Sequence, residues 1–496
     1  MSETESEKLH GLSALLRSVV KVQAISDAPD YEQPWQTSGP SSSFGSGAIV
    51  KTLRGAKILT NAHCVENHTF VEVKRHGQAA KVIATVEAVG HDCDLALLDV
   101  DPSFYRGIKP LEIGPLPHLG DKVQVCGFPV GGDRLSLTQG IVSRIDLTQY
   151  DQSQRNLLAI QIDAAINSGN SGGPVLDNGK LVGIAFQLLD GADRVGHMIA
   201  PSVISHFLHD VNQGTYRGFP GLGIEWQALE SKVHRQALGL HSHHSGILVT
   251  RVGYESSAWM TVQPGDVLLE VDNTPIGPDG TVQLREAELV GFEHVVSRRH
   301  VGETISLTLF RDGRQLDCLV VLQEPKPLVA EDHYEVAPSY LLVGGLLMVP
   351  LTRDYLKTWG EQWWQTAPKD LVCLYEHGVA TPDRQEIVVL QKVLADSLNQ
   401  GFHELESVWI ERIQGVSVRS LAHAASILDA TDEPYYRLES ADGRQIVLDR
   451  KECIRQEDAI LSRYGVPENR SPDLIQRKSK KTPTAESWPS SFEGLN

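Results

Sequence analysis

Residues 163–175 read Asp-Ala-Ala-Ile-Asn-Ser-Gly-Asn-Ser-Gly-Gly-Pro-Val, and the prediction of the fold starts here. Ser171 lies among glycines at positions 169, 172 and 173. Glycine lets a backbone turn tightly and bring its N–H groups close to a developing oxyanion. A serine hydroxyl becomes a good nucleophile when a neighbouring imidazole takes its proton. Because the stretch alone is typical of any glycine-rich turn, a catalytic Ser171 requires a histidine and a carboxylate elsewhere.

Two upstream motifs supply these residue types. Residues 60–65 read Thr-Asn-Ala-His-Cys-Val, and residues 92–98 read Asp-Cys-Asp-Leu-Ala-Leu-Leu. In this interpretation Ser171 is the nucleophile and His63 is the general base and then the general acid. Asp94 is the carboxylate that fixes the imidazole tautomer and stabilises the imidazolium. Each motif alone has an ordinary structural explanation, but the three together indicate nucleophilic hydrolysis.

The choice of carboxylate has two alternatives, Asp92 and Asp99. Asp94 is preferred because it immediately precedes the apolar run of its motif. The oxyanion hole would consist of the backbone N–H groups of Gly169 and of the nucleophile itself. The order His, Asp, Ser along the chain is the reverse of the Ser, Asp, His order of α/β-hydrolases, which disfavours a lipase or esterase.

The region around these motifs contains many short strand-like runs separated by turn residues. Examples are Gly47–Val50, Leu95–Val100 and Gly140–Ile145. Few helical patterns intervene, apart from one near Val203–Val211. Short strands at close spacing predict an all-β sandwich or barrel.

Length and composition are those of an ordinary globular protein. At about 150 residues per domain, 496 residues correspond to about three domains. A hydrophobic fraction of 41% excludes a wholly disordered or collagenous chain. The formal charge of −18 argues against nucleic acid as a partner. No run approaches the roughly 20 apolar residues of a membrane-spanning helix. The six cysteines form no CxxC pair, so we expect no metal.

Two further regions follow. The first carries the loop Gly221-Leu222-Gly223-Ile224, and Gln263-Pro264-Gly265-Asp266 follows about forty residues later. Successive N–H groups of such a loop can receive a C-terminal carboxylate while the peptide adds as a strand. The other region partly repeats this pattern, with Tyr340–Leu346 at the position of the glycine-containing loop. The last residues lose periodicity and indicate a tail.

The three catalytic motifs resemble those of chymotrypsin-like serine endopeptidases, specifically the HtrA/Deg (Do-like) family. The overall pattern is most similar to the plant-type members with two PDZ domains. The resemblance implies a mainly β chain, in which a double β-barrel protease domain precedes two PDZ-like α+β domains. The implied divisions are a polar leader at 1–13, the protease domain at 14–213, the first PDZ domain at 214–328, a second PDZ-like domain at 329–465 and a flexible tail at 466–496.

The same resemblance implies an ATP-independent serine endopeptidase of protein quality control without a cofactor. It would cleave unfolded or damaged proteins through an acyl-enzyme, with PDZ modules that capture peptide C-termini and regulate the protease. A homotrimer or a trimer-based higher oligomer is expected, with Tyr31, Pro34, Trp35 and Phe44 as candidate trimer contacts. The alternatives are a holdase or chaperone, or a PDZ scaffold, whose protease is latent.

Two features differ from the digestive members of the chymotrypsin-like family, and Cys64, which they share, lacks the partner cysteine that it has there. Trypsin-like enzymes have Asp six residues before the nucleophile, where this chain has Ala165, followed by Ile166. This pair predicts an apolar S1 pocket that prefers small or medium aliphatic P1 residues. Asn170 replaces the Asp that pairs with a freed N-terminus, which favours activation by loop ordering over activation by cleavage. Cys64 is expected to be a free thiol, and a link to Cys93 is a minor alternative.

The location is predicted from the start of the chain. Met1–Glu7 is acidic, whereas a targeting peptide is basic or poor in acidic residues. We therefore expect a cytoplasmic protein, with the nucleus or an organelle as alternatives in a eukaryote.

Overall fold

The computed structural model describes residues 15–129, 132–190, 193–241 and 244–479, so the leader predicted at 1–13 lies outside the described residues. The architecture is mainly β, as predicted. The chain divides into two compact units. The first unit consists of Met1–Ala28, Thr37–Val336 and His377–Thr381, and the second of Pro29–Gln36, Ala337–Glu376 and Pro382–Asn496.

The first unit begins with a closed six-stranded barrel in the order β1-β2-β3-β6-β5-β4. Its strands are β1 Val19–Ser26, β2 Ser41–Thr52, β3 Gly55–Thr60, β4 His68–Arg75, β5 Lys81–Gly90 and β6 Leu95–Asp99. Successive side chains of a strand point to opposite faces. In β1 this places Val20, Val22 and Ala24 in the barrel core. Closure removes free sheet edges and gives a firm frame for the turns at the barrel rim.

A second closed barrel follows in the order β10-β11-β12-β9-β8-β7. Its strands are β7 Lys122–Gly127, β8 Ser136–Gln149, β9 Asn156–Ile162, β10 Pro174–Asp177, β11 Lys180–Asp190 and β12 Asp193–Ile199. Helix α1, Pro201–Asn212, starts with proline in its first turn and buries Ile204 and Phe207 completely. Short 3₁₀ turns lie at Ala62–Cys64, His91–Cys93, Pro102–Tyr105 and Ser397–Asn399.

The rest of the first unit contains a sheet in the order β13-β14-β15-β19-β20, with β16 paired to β15, and the separate hairpin β17-β18. The strands are β13 Ile224–Ala228, β14 Ile247–Val252, β15 Val267–Val271, β16 Thr274–Pro275, β17 Thr281–Arg285, β18 Glu288–Gly291, β19 Thr304–Arg311 and β20 Arg314–Val321. Two short helices accompany them, α2 Lys232–Ala237 and α3 Glu293–Ser297. The strand β13 lies at the edge of this sheet.

The second unit has a sheet in the order β21-β22-β23-β24-β26-β27, with β25 paired to β24. The strands are β21 Leu341–Val343, β22 Leu346–Pro350, β23 Val388–Val393, β24 Val408–Ile413, β25 Val416–Ser417, β26 Tyr435–Ser440 and β27 Gln445–Asp449. The later helices of the chain are α4 Arg353–Lys357, α5 Trp363–Thr366, α6 Lys369–His377, α7 Leu421–Ala430, α8 Arg450–Tyr464 and α9 Pro472–Ser479.

The flexible tail was predicted to begin at residue 466, but the structure is ordered beyond that position. Residues 472–479 form α9, and Leu474 packs into the core of the second unit. Arg470 is 8% exposed, and its guanidinium pairs with both carboxylate oxygens of Asp429, at 2.9 and 3.0 Å. These buried contacts order a segment whose polar composition resembles a tail. Residues 329–336 lie in the first unit.

Most of the aromatic residues predicted as trimer contacts lie in the loop Pro29–Gln36, which belongs to the second unit. The rings of Trp35 and Tyr340 meet edge to face, with centroids 5.7 Å apart. Gln391 donates to the carbonyl of Tyr31 at 3.0 Å. These residues therefore have contacts within their own chain, whereas Phe44 is 41% exposed.

Candidate active site

His63 and Asp94 meet at the rim of the first barrel. His63 lies in the 3₁₀ turn that follows β3, and Asp94 ends the turn His91–Cys93 just before β6. One Asp94 carboxylate oxygen accepts the His63 backbone N–H at 3.0 Å. The two carboxylate oxygens lie 3.0 and 2.8 Å from Nδ1 of the imidazole. Asp94 is 3% exposed, so this pairing orients the ring with little competition from water.

Asp94 has a left-handed backbone with φ of 52°. This region is unfavourable for residues other than glycine, although Asp and Asn tolerate it best. The side-chain amide of Asn61 donates to the Asp94 carbonyl at 2.9 Å. The left-handed residue aims the carboxylate back at His63 while the chain continues into β6.

The charge of Asp94 also changes the protonation of His63. Burial alone would lower the pKa of the imidazole. The negative charge of Asp94, with smaller contributions from Cys64 and from the Asp94 hydrogen bond, outweighs burial, so the pKa of His63 lies well above its usual value. The site therefore favours the imidazolium, the form that a general base reaches after taking a proton.

The loop that carries Ser171 is fixed against the first barrel. The Ser171 carbonyl accepts the Ser46 N–H at 2.7 Å and lies 3.9 Å from the sulfur of Cys64, the neighbour of His63. Gly172 has φ of +80°, and a Cβ there would collide with the Ser46 carbonyl. The glycine is thus required by the close approach of the two barrels, which holds the Ser171 backbone beside Cys64, the neighbour of His63.

The predicted oxyanion residues lie in the same loop. Gly169 has φ of +93°, and its carbonyl accepts the Ser46 hydroxyl at 2.7 Å. Among the hydrogen bonds within the described residues, none uses the N–H of Gly169 or of Ser171. Both donors are therefore available to an incoming oxyanion. Asn170 is 2% exposed, and its side-chain oxygen has no partner among the described residues.

The two predicted S1 residues differ in exposure. Ala165 is exposed, and its carbonyl accepts the Thr138 hydroxyl at 3.1 Å. Ile166 is 7% exposed, and its side chain lies next to Gly196 of β12. Cys64 and Cys93 are both buried and present as thiols.

The predicted carboxylate loop precedes the edge strand β13. The carbonyls of Gly221, Leu222 and Gly223 accept bonds from residues 253–258, at 2.6, 3.0 and 2.9 Å. Gly223 has φ of +71°, as the tight turn requires. The bonds described for this part of the chain leave the N–H groups of Leu222 and Gly223 unused. A peptide could therefore meet free donors and a free strand edge here.

The second sheet differs at the corresponding position. Tyr340–Leu346, predicted to stand where the glycine-containing loop stood, forms a tight hairpin instead. Its turn is Gly344-Gly345, with φ of 57° and 85°, and β21 pairs with β22. The Leu342 N–H in turn donates to the carbonyl of Asn469 at 2.7 Å. In this sheet the chain itself covers the edge of β22.

Another polar cluster lies between α1 and α3. The ring of His206 stacks between those of Phe219 and His300, with centroids 4.0 Å apart on each side. Asp210 accepts from Nδ1 of His300 at 2.6 Å. The possible ligand atoms of His206, Asp210 and His300 lie within 4.8 Å of one another. The contacts that the described residues make here are ring stacking and the hydrogen bond between His300 and Asp210.

Sequence reasoning missed the residues that surround the turn of Asp94. They are His91, Asp92, Tyr216, Phe219, Tyr334 and Glu335. Only Asp92 was considered, as an alternative catalytic carboxylate, and the structure directs its side chain away from His63 towards Tyr216. No local pattern marks the others, because their partners are distant in the sequence.

Two closed six-stranded barrels with a His–Asp pair and a serine loop in the cleft define a chymotrypsin-like serine endopeptidase. Comparison with known proteins supports this class of enzyme. Residues 45–184 match the family model "Trypsin-like peptidase domain", and residues 329–473 match "PDZ domain". The PDZ match covers the second of the two predicted PDZ regions, in which the glycine-containing loop pattern was the weaker one.

The chain is 37% identical over 479 residues to Protease Do-like 2, chloroplastic, of Arabidopsis thaliana, covering 96% of this chain and 78% of that protein. It is 34% identical to Putative protease Do-like 3, mitochondrial, of the same plant, covering 97% and 84%. The HtrA-type protease AlgW with tripeptide shares the fold, with 24% identity and a TM-score of 0.51 over 64% of this chain and 98% of that one. The chain belongs to the Do-like (HtrA/Deg) family of serine proteases, as its motifs predicted. Among the described residues, no helix has the length and apolar character needed to cross a membrane.

Proposed function

We propose that Ser171, His63 and Asp94 form the catalytic triad of this endopeptidase. The observation that carries the proposal is the double contact of Asp94 with the backbone N–H and Nδ1 of His63. With the Nδ1 proton donated to the carboxylate, Nε2 has the lone pair that takes the proton of the Ser171 hydroxyl. The serine oxygen attacks the scissile carbonyl carbon, and His63 returns the proton to the departing amine. Water then hydrolyses the acyl-enzyme with the same base.

The N–H groups of Gly169 and Ser171 would bind the oxyanion of both tetrahedral intermediates. Loss of one such donor typically costs about 10²–10³ in turnover. Ala165 and Ile166 would contribute an apolar S1 pocket. Cleavage of a peptide library varied at P1 tests this: preference for Val, Ala, Ile or Leu supports it, and preference for Lys or Arg contradicts it.

The substrates we propose are unfolded or damaged proteins, cleaved without ATP by a homotrimer or a trimer-based oligomer. The first PDZ domain would capture chain ends at Gly221–Ile224, since β13 has a free edge and the loop has unused donors. The second module would not capture peptides by strand addition, because β21 already pairs with β22.

The test is digestion of β-casein by the wild type and by Ser171→Ala, each sized by light scattering. Ser205→Ala, which changes an exposed serine of α1, is the matched control. We expect the wild type and Ser205→Ala to cleave and Ser171→Ala to bind casein without cleaving it. Cleavage by Ser171→Ala contradicts the triad. If no variant cleaves but all bind casein as defined oligomers, the holdase alternative replaces the protease.

For the location, the relatives' names support the organelle alternative rather than the cytoplasm. Those names place Do-like 2 in the chloroplast and Do-like 3 in the mitochondrion. Fractionation of cells that express the chain tests this proposal, and recovery in the cytosolic fraction would contradict it.

A further inference from the structure

The turn His91–Cys93, which ends at Asp94, is bound by the segment that leads from the protease into the first PDZ domain. One Asp92 carboxylate oxygen accepts the Tyr216 hydroxyl at 2.5 Å, and the other accepts the Phe219 N–H at 2.8 Å. The Tyr216 hydroxyl is also 3.3 Å from the sulfur of Cys93. Tyr216 and Phe219 precede the carboxylate loop by only a few residues, so this segment joins the loop to the turn of Asp94.

The segment that leaves the first PDZ domain binds the same turn from another side. The rings of Tyr334 and His91 stack with centroids 3.9 Å apart. The Glu335 carboxylate lies 2.8 Å from Nε2 of His91. Glu335 also exchanges two hydrogen bonds with Asn67, at 3.0 and 2.8 Å. Because Asn67 lies four residues after His63, this segment joins the turn that carries Asp94 to the chain that carries His63.

Both segments border the first PDZ domain, so a displacement of that domain would pull on one short turn. The turn needs external support, because the left-handed backbone of Asp94 persists only where its surroundings stabilise it. A shift of about 1 Å in a catalytic group can cost about 10² in rate. The contacts of Asp92 and His91 therefore matter for the distance between Asp94 and Nδ1 of His63.

We propose that Asp92 and His91 are positioning residues for Asp94, through which the two segments that flank the first PDZ domain set the geometry of the catalytic carboxylate. The inference rests on the proposed triad. It concerns the orientation of Asp94 alone and assigns neither residue a contact with substrate.

The experiment uses the full chain and a short peptide substrate. Tyr216→Phe removes the hydroxyl that donates to Asp92, and Asp92→Asn removes the negative charge of the accepting carboxylate. Glu335→Gln weakens the contact with His91. We expect kcat to fall about 10–100-fold with KM nearly unchanged, since misplacement of the base acts on the chemical step. The acid limb of the kcat profile should move to lower pH, because Asp94 would raise the pKa of His63 less.

Tyr105→Phe is the matched control. It removes a hydroxyl that donates to Asp99 at 3.4 Å in the same barrel, away from the turn of Asp94. We expect it to keep the wild-type kcat and pH profile. A merely structural role for Tyr216 would lower the melting temperature without moving the acid limb.

Two results would overturn the inference: a wild-type kcat and acid limb in folded Tyr216→Phe, or equal losses in Tyr216→Phe and Tyr105→Phe. If Asp92→Asn does not fold, Tyr216→Phe decides alone, since it removes a single oxygen atom. Failure of the triad itself is recognised separately, because Ser171→Ala would then retain cleavage.

Discussion

Replacement of Asp94 by Asn separates the charge of this side chain from its shape. Asn has nearly the same size, and it tolerates the left-handed φ of 52° that the position requires. The fold should therefore survive. The amide has no charge, and its NH₂ group can donate to Nδ1 of His63, where the carboxylate only accepts. The imidazole would then carry its proton on Nε2, in the tautomer that cannot take a proton from Ser171.

The expected loss follows from the contacts. Asp94 lies within 3.0 Å of Nδ1 and of the backbone N–H of His63, and it is 3% exposed. In a buried serine triad, the wrong tautomer lowers kcat by about 10⁴. At about 1.4 kcal/mol per factor of ten, this corresponds to roughly 5 kcal/mol of transition-state stabilisation.

The pH dependence should change in a defined direction. His63 must be neutral to act as a base, and its pKa lies well above 6.5 in the wild type because Asp94, and to a smaller extent Cys64, outweigh burial. Wild-type activity should therefore fall with acid while the pH is still above 6.5. Asp94→Asn removes the charge that raises this pKa most and leaves the smaller effect of Cys64, so the acid limb should move to lower pH as the plateau falls.

The assay is kcat on a short peptide as a function of pH, with circular dichroism as the check of folding. Asp99→Asn is the matched control, because Asp99 pairs with Lys57 at 2.8 Å rather than with His63. We expect it to lose less than about tenfold. An Asp94→Asn variant within tenfold of the wild type would refute the reasoning. If Asp99→Asn lost as much kcat as Asp94→Asn, the orienting role would be assigned to Asp99.

Three further predictions concern stability. Arg311 makes two 2.6 Å contacts with Asp266, which is 2% exposed. Arg311→Met should therefore lower the free energy of unfolding, measured in urea, by about 3–5 kcal/mol, and a loss below about 1 kcal/mol would contradict this. Burial, and secondarily a nearby arginine, lower the pKa of His294 to about 4. In the unfolded chain the His294 imidazole binds a proton near pH 6.5, so up to roughly 3 kcal/mol of the free energy of unfolding should be lost as the pH falls from about 6.5 to 4. His294→Leu should remove this part of the acid sensitivity. Ending the chain at residue 465 should lower the melting temperature of the second unit because Leu474 leaves its core, whereas ending it at 479 should not.

The barrels and the candidate site could be predicted because their signals are local. His63, Asp94 and Ser171 each lie in one short motif beside an apolar run. The glycine at 172 has a steric cause, since any side chain there would meet Ser46. Strand β5 lacks such a signal, because its residues are mostly half-buried and show no clear alternation. Local chemistry of this kind can be interpreted from a single sequence.

The support around the triad could not be predicted in the same way. Tyr216 meets Asp92 across 124 residues, and Glu335 meets His91 across 244. Each is an ordinary polar or aromatic residue in an irregular segment. Their pairing depends on where the first PDZ domain rests against the protease, and no periodicity encodes that placement.

The sheet that contains β13 and the sheet that contains β22 differ at one edge because their turn chemistry differs. The order β13-β14-β15-β19-β20 corresponds to β22-β23-β24-β26-β27, and in each sheet the third strand pairs with a short extra strand. In the first sheet the loop before the edge strand is anchored through its carbonyls and the N–H of Gly221, and the bonds described there leave the N–H groups of Leu222 and Gly223 unused. In the second, Gly344-Gly345 has positive φ at both residues, the geometry of a two-residue hairpin, so β21 folds back onto the edge strand. An edge paired within the chain has no free backbone groups for a further strand, so β21 completes the sheet of the second unit.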